Sequence, residues 1–393
     1  MPNPYVKQYL MTAGPTPLPP AVSEAMAQPM LYHRAPAFVE VYARALARLK
    51  SVFQTENEVL VFAASGTGAL ESAAANLVRP DEPVLVASCG KFGERWAELC
   101  GAYGARTVHW ETEWGRKVEP AELDRVLGEN EAEVVFTTFS ETSTGVVNDI
   151  RELTEVAHRH RALIAVDAVS GLGAVPLPQD EWGVDVVVAG SQKALMSPPG
   201  LAFVSANQVA LGRAAAAPGR RFYFDWGRTL SGQLQDPPDS PFTPAVGLVQ
   251  ALDVALGLIE EEGLEQVFER HRLLGRATRA AARALELELL GPEDDSSNVV
   301  TAIRLPEGLD GARVPKLMRD RFGVTIAGGQ GRLKGKIARI AHCGYFGAFD
   351  IVVTIAAFEM TLRELGHEVE LGAGVAAAQR VFLEAGVPLA APA

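Results

Sequence analysis

Cysteine is scarce in this chain. Only Cys89, Cys100 and Cys343 occur in 393 residues, far apart and without the spacing of metal ligands. A disulfide-stapled scaffold and a zinc-finger type of organisation do not fit, no metal site is expected, and a reducing, cytoplasmic setting is. Basic charge is also short: 36 Lys and Arg stand against 48 Asp and Glu, a formal net charge of −12. An acidic surface makes nucleic acid and anionic membrane poor partners. No window has the apolar length of a membrane-spanning helix. The opening MPNPYVKQYLMTAGPTPLPP has no basic head followed by an apolar core, so no signal peptide is expected. Internal repeats and low-complexity tracts are missing, apart from an alanine richness that supports helix.

What remains is globular material, 48% hydrophobic and 21% charged, long enough for two or three domains or one large domain with a smaller companion. Residues 1–20, rich in Pro and Gly, read as an extended arm. From Glu58 the pattern alternates. Expected strands (58–63, 84–87, 106–110, 133–138, 162–166, 184–189, 201–205) are separated by stretches of helical periodicity (66–77, 92–103, 121–127, 150–158). This predicts an α/β fold with a mostly parallel sheet covered on both faces. After about residue 206 the character changes. A turn-rich stretch, 231–244, precedes a long helical region, 246–287, broken near Gly263. Strands at 298–304 and 336–341 and helices at 314–322, 350–365 and 372–383 then suggest a smaller α+β domain. The expected division is an arm over 1–20, a large domain over 21–250 and a small C-terminal domain over 251–393.

The chemistry-bearing residues sit at the carboxyl ends of the expected strands, where open α/β sheets bind ligands. In VDVVVAGSQKALMSPPG, Lys193 follows a buried strand at once, and Ser-Pro-Pro-Gly stops any helix. Taken alone this is a lysine in a turn; in a partly dry crevice its amine loses its proton and attacks carbonyls. Asp167 ends the strand 162–166, 26 residues earlier, a spacing that leaves room for one crossover. It is either a turn acid or the partner of a heterocyclic nitrogen. Ser65-Gly66-Thr67-Gly68 opens a helix and suits either a capped turn or a phosphate. It is not a dinucleotide fingerprint, because the third glycine is missing and the next strand ends at Ser88 rather than an acid. Ser143 and Thr144 in FSETSTGV offer hydroxyls, and Phe92 offers a ring that either fills core or stacks on a planar ligand. Arg339, a charge inside the strand KIARIA, needs a carboxylate from the protein or from a substrate. A phosphate turn, a ring-nitrogen acid, a stacking aromatic and an amine nucleophile together fit pyridoxal 5′-phosphate (PLP).

AGPTPLPP, SGTGALE, ETSTGV, VDAVSGLG, GSQKALMSPPG and GKIARIAHCG together resemble the class V aminotransferases among the fold type I PLP enzymes, on the alanine–glyoxylate and serine–pyruvate branch. The resemblance implies that Lys193 joins the cofactor covalently and moves the proton, that Asp167 pairs with the pyridinium nitrogen, and that Val169 packs beneath the ring. It assigns the phosphate to Ser65, Gly66, Thr67 and Gln192, the outer ring face to Phe92, and a bond near the ring oxygen to Ser143. Thr243 would reach the phosphate of a partner subunit, implying a homodimer with shared sites. Arg339 would take the substrate carboxylate, with the backbone near Gly14 closing over it. Phe92 stands where relatives often have Trp, Tyr or His, Thr67 where some have His, and Ser240 where a Tyr is frequent. The implied reaction is ping-pong transfer of an amino group from alanine or serine to glyoxylate or pyruvate. The alternatives are a lyase or cysteine desulfurase of the same fold, for which Cys343 is the available thiol, and a non-catalytic binding protein.

Overall fold

Period-2 burial on two sides builds the main sheet. In the strand Val186–Gly190, Val187 and Ala189 join one apolar core while Val186 and Val188 join another. Val134–Thr138 and Leu163–Asp167 divide in the same way. Successive side chains of a strand point to opposite faces, so both faces of the sheet's interior strands are dry and those strands read as apolar runs, whereas the edge strand Arg106–Glu111 is partly exposed.

The computed structural model describes residues 7–217 and 221–386. The first six residues of the expected arm and the last seven of the expected small domain lie outside that range. Seven strands form the large sheet, in the order Val59–Phe62, Ala202–Ala206, Val186–Gly190, Leu163–Asp167, Val134–Thr138, Pro83–Ser88, Arg106–Glu111. Ala202–Ala206 runs antiparallel to both neighbours; the other pairings are parallel. Register sets Asp167 opposite Thr138 on one side and Val188 on the other. The carboxyl ends that carry Asp167 and the loops to Glu141 and Lys193 therefore open on one edge. Among the described residues no helix is long and apolar enough to cross a membrane.

A second core lies around the three-stranded antiparallel sheet Val300–Arg304, Ile337–Ala341, Ala327–Gly328, with Leu274, Ala277, Ile303, Ile340, Ile355 and Phe358 buried between it and its helices. The expected boundary at 250/251 falls inside the helix Val246–Glu262. Val249, Leu252, Leu256 and Ile259 of that helix all belong to the large sheet's core. The change of core comes along the next helix, Leu264–Ala284, after Gly263 at φ +84°. The arm is also more than a spacer. Tyr9–Leu10 pairs in parallel with Val324–Thr325 of the second unit, and Met11 is buried in its core. Two helices, Gln208–Ala216 and Trp226–Gln233, occupy the stretch where the sequence showed only a change of character. The second runs three residues into the expected 231–244 loop. Asp225 caps it by accepting from the Arg228 amide, and Trp226 is fully buried.

Candidate active site

Lys193 stands in the loop after Val186–Gly190, where the Ser191 hydroxyl ties the loop by donating to Pro198 O at 2.5 Å. Its side chain is 8% exposed. The amine lies against the Ala13 carbonyl. The arm crosses directly over it: Thr16 donates its amide to Gln192 O at 3.2 Å and its hydroxyl to Lys193 O at 3.0 Å. Gly14, at φ +105°, leaves no room for a side chain, because a Cβ there would come within 2.8 Å of Lys193 Nζ and nearer still to Cδ and Cε. Gly14→Ala is therefore strained in its backbone and displaces the lysine. Turnover should fall by about a hundredfold, the cost of roughly 1 Å of misplacement at a reacting group. Steady-state rates checked against cofactor content measure this; a variant with normal turnover would show that the contact does not matter.

Burial and charge set the titration of the pair. Desolvation pushes the Lys193 amine below its ordinary range, against the upward pull of Cys343, Asp167 and Glu141. Desolvation raises Asp167 to about 7, although the Val169 amide donates to its carboxylate at 2.9 Å. A readily neutralised amine and a carboxyl poised near neutrality, held at one strand edge, suit proton transfer.

The other expected residues gather around this pair. Ser65 caps the helix Gly66–Leu77, accepting from Gly68 N at 3.4 Å. Gly66 packs against Val169, whose Cγ1 would lie 2.9 Å from a Cβ at 66. Gln192 sits beside Gly190 and Gly66, and among the described residues its buried Oε1 has no partner. An orphaned amide beside the free amides of a helix start fits a phosphate once the side-chain amide group is turned to donate. Phe92 is half-buried at the start of the helix Lys91–Ala102. Arg339 is 6% exposed and donates from Nε to Gly328 O (2.8 Å) and from Nη1 to Thr142 O (2.7 Å). Among the described residues its Nη2 has no acceptor, which leaves one donor group for a carboxylate. These residues fit PLP by the chemistry of the set: a helix-opening turn beside an orphaned side-chain amide, a buried acid, a half-buried aromatic and a buried amine.

Two expected residues behave differently. The Ser143 hydroxyl accepts from Lys91 N at 2.9 Å and donates to Glu141 Oε1 at 2.6 Å, so it is engaged within the protein. Thr243 is exposed, and no hydrogen bond among the described residues joins it to the Ser65 turn of its own chain. Cys343 is fully buried among Ala174, Ala194, Val299 and Val300, and burial raises its thiol to about 11. It behaves as a small hydrophobe and not as the exposed, low-pKa nucleophile a desulfurase needs.

Three participants were passed over in the sequence. Arg95 donates from Nη1 to Thr67 Oγ1 at 3.3 Å and stands 4.9 Å from the Phe92 ring centre. It follows Phe92 by three residues on an expected helix, a spacing that puts both on one face. Glu141, inside the very FSETSTGV stretch, is a buried acid just past a strand end, the same signal that singled out Asp167. Thr16 carried no local signal. A cleft of about 620 Å³ lined by Arg79, Leu127, His160, Arg161 and Arg213 opens instead toward the amino ends of the strands, and Arg213 is paired there with Glu82 and Glu133.

A family model described as Aminotransferase class-V matches residues 8–339. A Synechococcus protein named Soluble hydrogenase, small subunit, is 43% identical over 96% of this chain and 98% of its own. Serine–glyoxylate aminotransferase of Methylorubrum extorquens is 36% identical, over 96% of each chain. The crystal structure of ureidoglycine–glyoxylate aminotransferase from Bacillus subtilis superposes with a TM-score of 0.92 at 30% identity, over 98% of this chain and 100% of that one. Among the described residues no group of three or more His, Cys, Asp and Glu side chains is placed to hold a metal ion.

Proposed function

This chain belongs to the class V aminotransferases, a family of PLP-dependent transaminases, and from that footing we propose that it moves the amino group of alanine or serine to glyoxylate or pyruvate. The observation that carries the reading is the dry Lys193 amine beside Asp167, with a carboxylate-ready Arg339 in the same crevice. Glyoxylate stands in the names of two relatives with different donors, which supports it as acceptor.

When bound, PLP supplies an aldehyde that joins amines and an electron sink. The chain supplies the rest. Ser65, Gly66, Thr67 and Gln192 hold the phosphate, with Thr243 of a second copy. Asp167 keeps a proton on the ring nitrogen, and Val169 and Phe92 confine the ring and exclude water. Arg339 receives the substrate carboxylate under the Gly14 backbone. Lys193, whose amine burial makes easier to deprotonate, takes the α-proton from the donor carbon and returns one when the acceptor is aminated. The reading includes a homodimer with shared sites, in which Thr243 serves the second copy, and exposed Phe222 and Tyr223 beside Phe242 would offer an apolar contact for it. The three unpaired, buried cysteines suit a reducing cytoplasm.

The purified protein should show a yellow absorption band that bleaches with L-serine or L-alanine and returns with glyoxylate. A spectrum indifferent to all three would refute the substrate assignment. Parallel assays with L-aspartate separate small donors from dicarboxylates. Arg339→Ala should raise KM for the donor by about tenfold to a hundredfold, the worth of a charge-assisted bond, with a smaller change in kcat. Equal falls in kcat and kcat/KM would instead mark a role limited to the transition state.

A further inference from the structure

We propose that Glu141 is the positioning residue of this active site, holding the ring-stacking Phe92 and the carboxylate-binding Arg339 in one fixed relation. Its side chain is fully buried, and among the described residues it forms no ion pair. Both oxygens are saturated instead by hydrogen bonds. Oε2 accepts from Phe92 N (2.9 Å) and Gly93 N (3.1 Å); Oε1 accepts from Ser143 N (3.0 Å) and Ser143 Oγ (2.6 Å). The first pair are free amides at the start of the helix Lys91–Ala102, where an anion is favoured. The carboxylate thus sets the angle at which that helix, and Phe92 with it, enters the site.

The next residue completes the link, because Thr142 O accepts from Arg339 Nη1 at 2.7 Å. One three-residue turn therefore holds the large sheet's aromatic lid through a side chain and the second unit's arginine through a backbone carbonyl. Gly90 belongs to the same device: a Cβ there would collide with Glu141 Cγ and Ser143 Oγ. No other side chain reproduces the arrangement. An amide offers one oxygen and one NH2, so in Glu141→Gln one pair of N–H or O–H donors faces a donor. Aspartate is a methylene too short to reach both pairs. Burial raises the Glu141 carboxyl while its hydrogen bonds from Ser143, Gly93 and Phe92 pull it back down, and when ionised it shares the field of Asp167 and Arg339.

The inference rests on the PLP reading, and the test keeps the two apart. Glu141→Gln and, as a milder variant, Ser143→Ala are compared with the unaltered protein. The visible circular dichroism of the cofactor, its dissociation constant, KM and kcat for L-alanine, and Tm are measured for each. Glu141→Gln is expected to lower the visible dichroism by half or more, weaken PLP binding about tenfold, and raise KM for the donor about tenfold. Ser143→Ala should fall between it and the unaltered protein. If Glu141→Gln does not fold, Ser143→Ala decides: unchanged dichroism and KM overturn the proposal. A loss of Tm alone, with the dichroism and KM of the folded protein intact, also overturns it, since that is mere scaffolding. If the unaltered protein shows no cofactor dichroism, the PLP reading itself has failed.

Discussion

Lys193→Ala should retain PLP yet turn over at least ~10⁴-fold more slowly, because it removes the amine proposed to carry the proton. The phosphate turn, Asp167 and Phe92 are untouched by the change, so affinity for the cofactor should survive. The side chain is 8% exposed and closely covered by the arm at Ala13 and Gly14, so its loss leaves a lined gap rather than an open surface. A small primary amine added to the variant should enter that gap and restore part of the rate. Borohydride followed by peptide mapping should place a pyridoxyl label on residue 193 of the unaltered protein and on no residue of the variant. Turnover within tenfold of normal, or a label elsewhere, would remove Lys193 from the mechanism.

Asp167→Asn should cost about 10³-fold in turnover while making the cofactor-free protein more stable above neutral pH. Asparagine keeps the size but cannot hold a positive ring nitrogen, so electron withdrawal at the substrate carbon weakens. The stability half follows from the titration. Burial raises this carboxyl from 3.8 to about 7. Between those values the unfolded chain has released a proton that the native chain still binds. Stability therefore falls as pH rises through that window, and above about 7 the ionised native state carries the full cost, roughly 4 kcal/mol. The variant has no such group, so its cofactor-free Tm should lack that fall. Adding PLP should reverse the ranking, since the unaltered protein then gains a cation against its acid. Parallel pH profiles of Tm for the two cofactor-free proteins would show that Asp167 is not strained by burial, and the argument would fail there.

The large sheet was legible because most of its strands are short apolar runs bounded by turn residues, and local pattern suffices for that. Lys193 and Asp167 were legible for the same reason, each being a polar residue within a few positions of the end of such a run. Glu141 and Arg95 were within reach of the same two rules, a buried acid past a strand and an i, i+3 pair on a helix. The boundary expected at 250/251 falls inside the helix Val246–Glu262, whose apolar periodicity reads the same whichever core it serves.

By itself the sequence determined the strands of the large sheet and most of the helices that cover it, though not the helices Gln208–Ala216 and Trp226–Gln233, that the sheet's interior strands are dry on both faces, and which side chains lie at its carboxyl edge. Those are consequences of a period of two or of 3.6 residues and need no distant partner. Tertiary structure alone decided the order of the strands, since a strand buried on both sides reads alike at every place in a sheet. It alone brought Thr16 to the Lys193 carbonyl and Arg339 to the Thr142 carbonyl, across separations of 177 and 197 residues. Contacts between residues so far apart depend on how whole layers pack, and no local pattern encodes that.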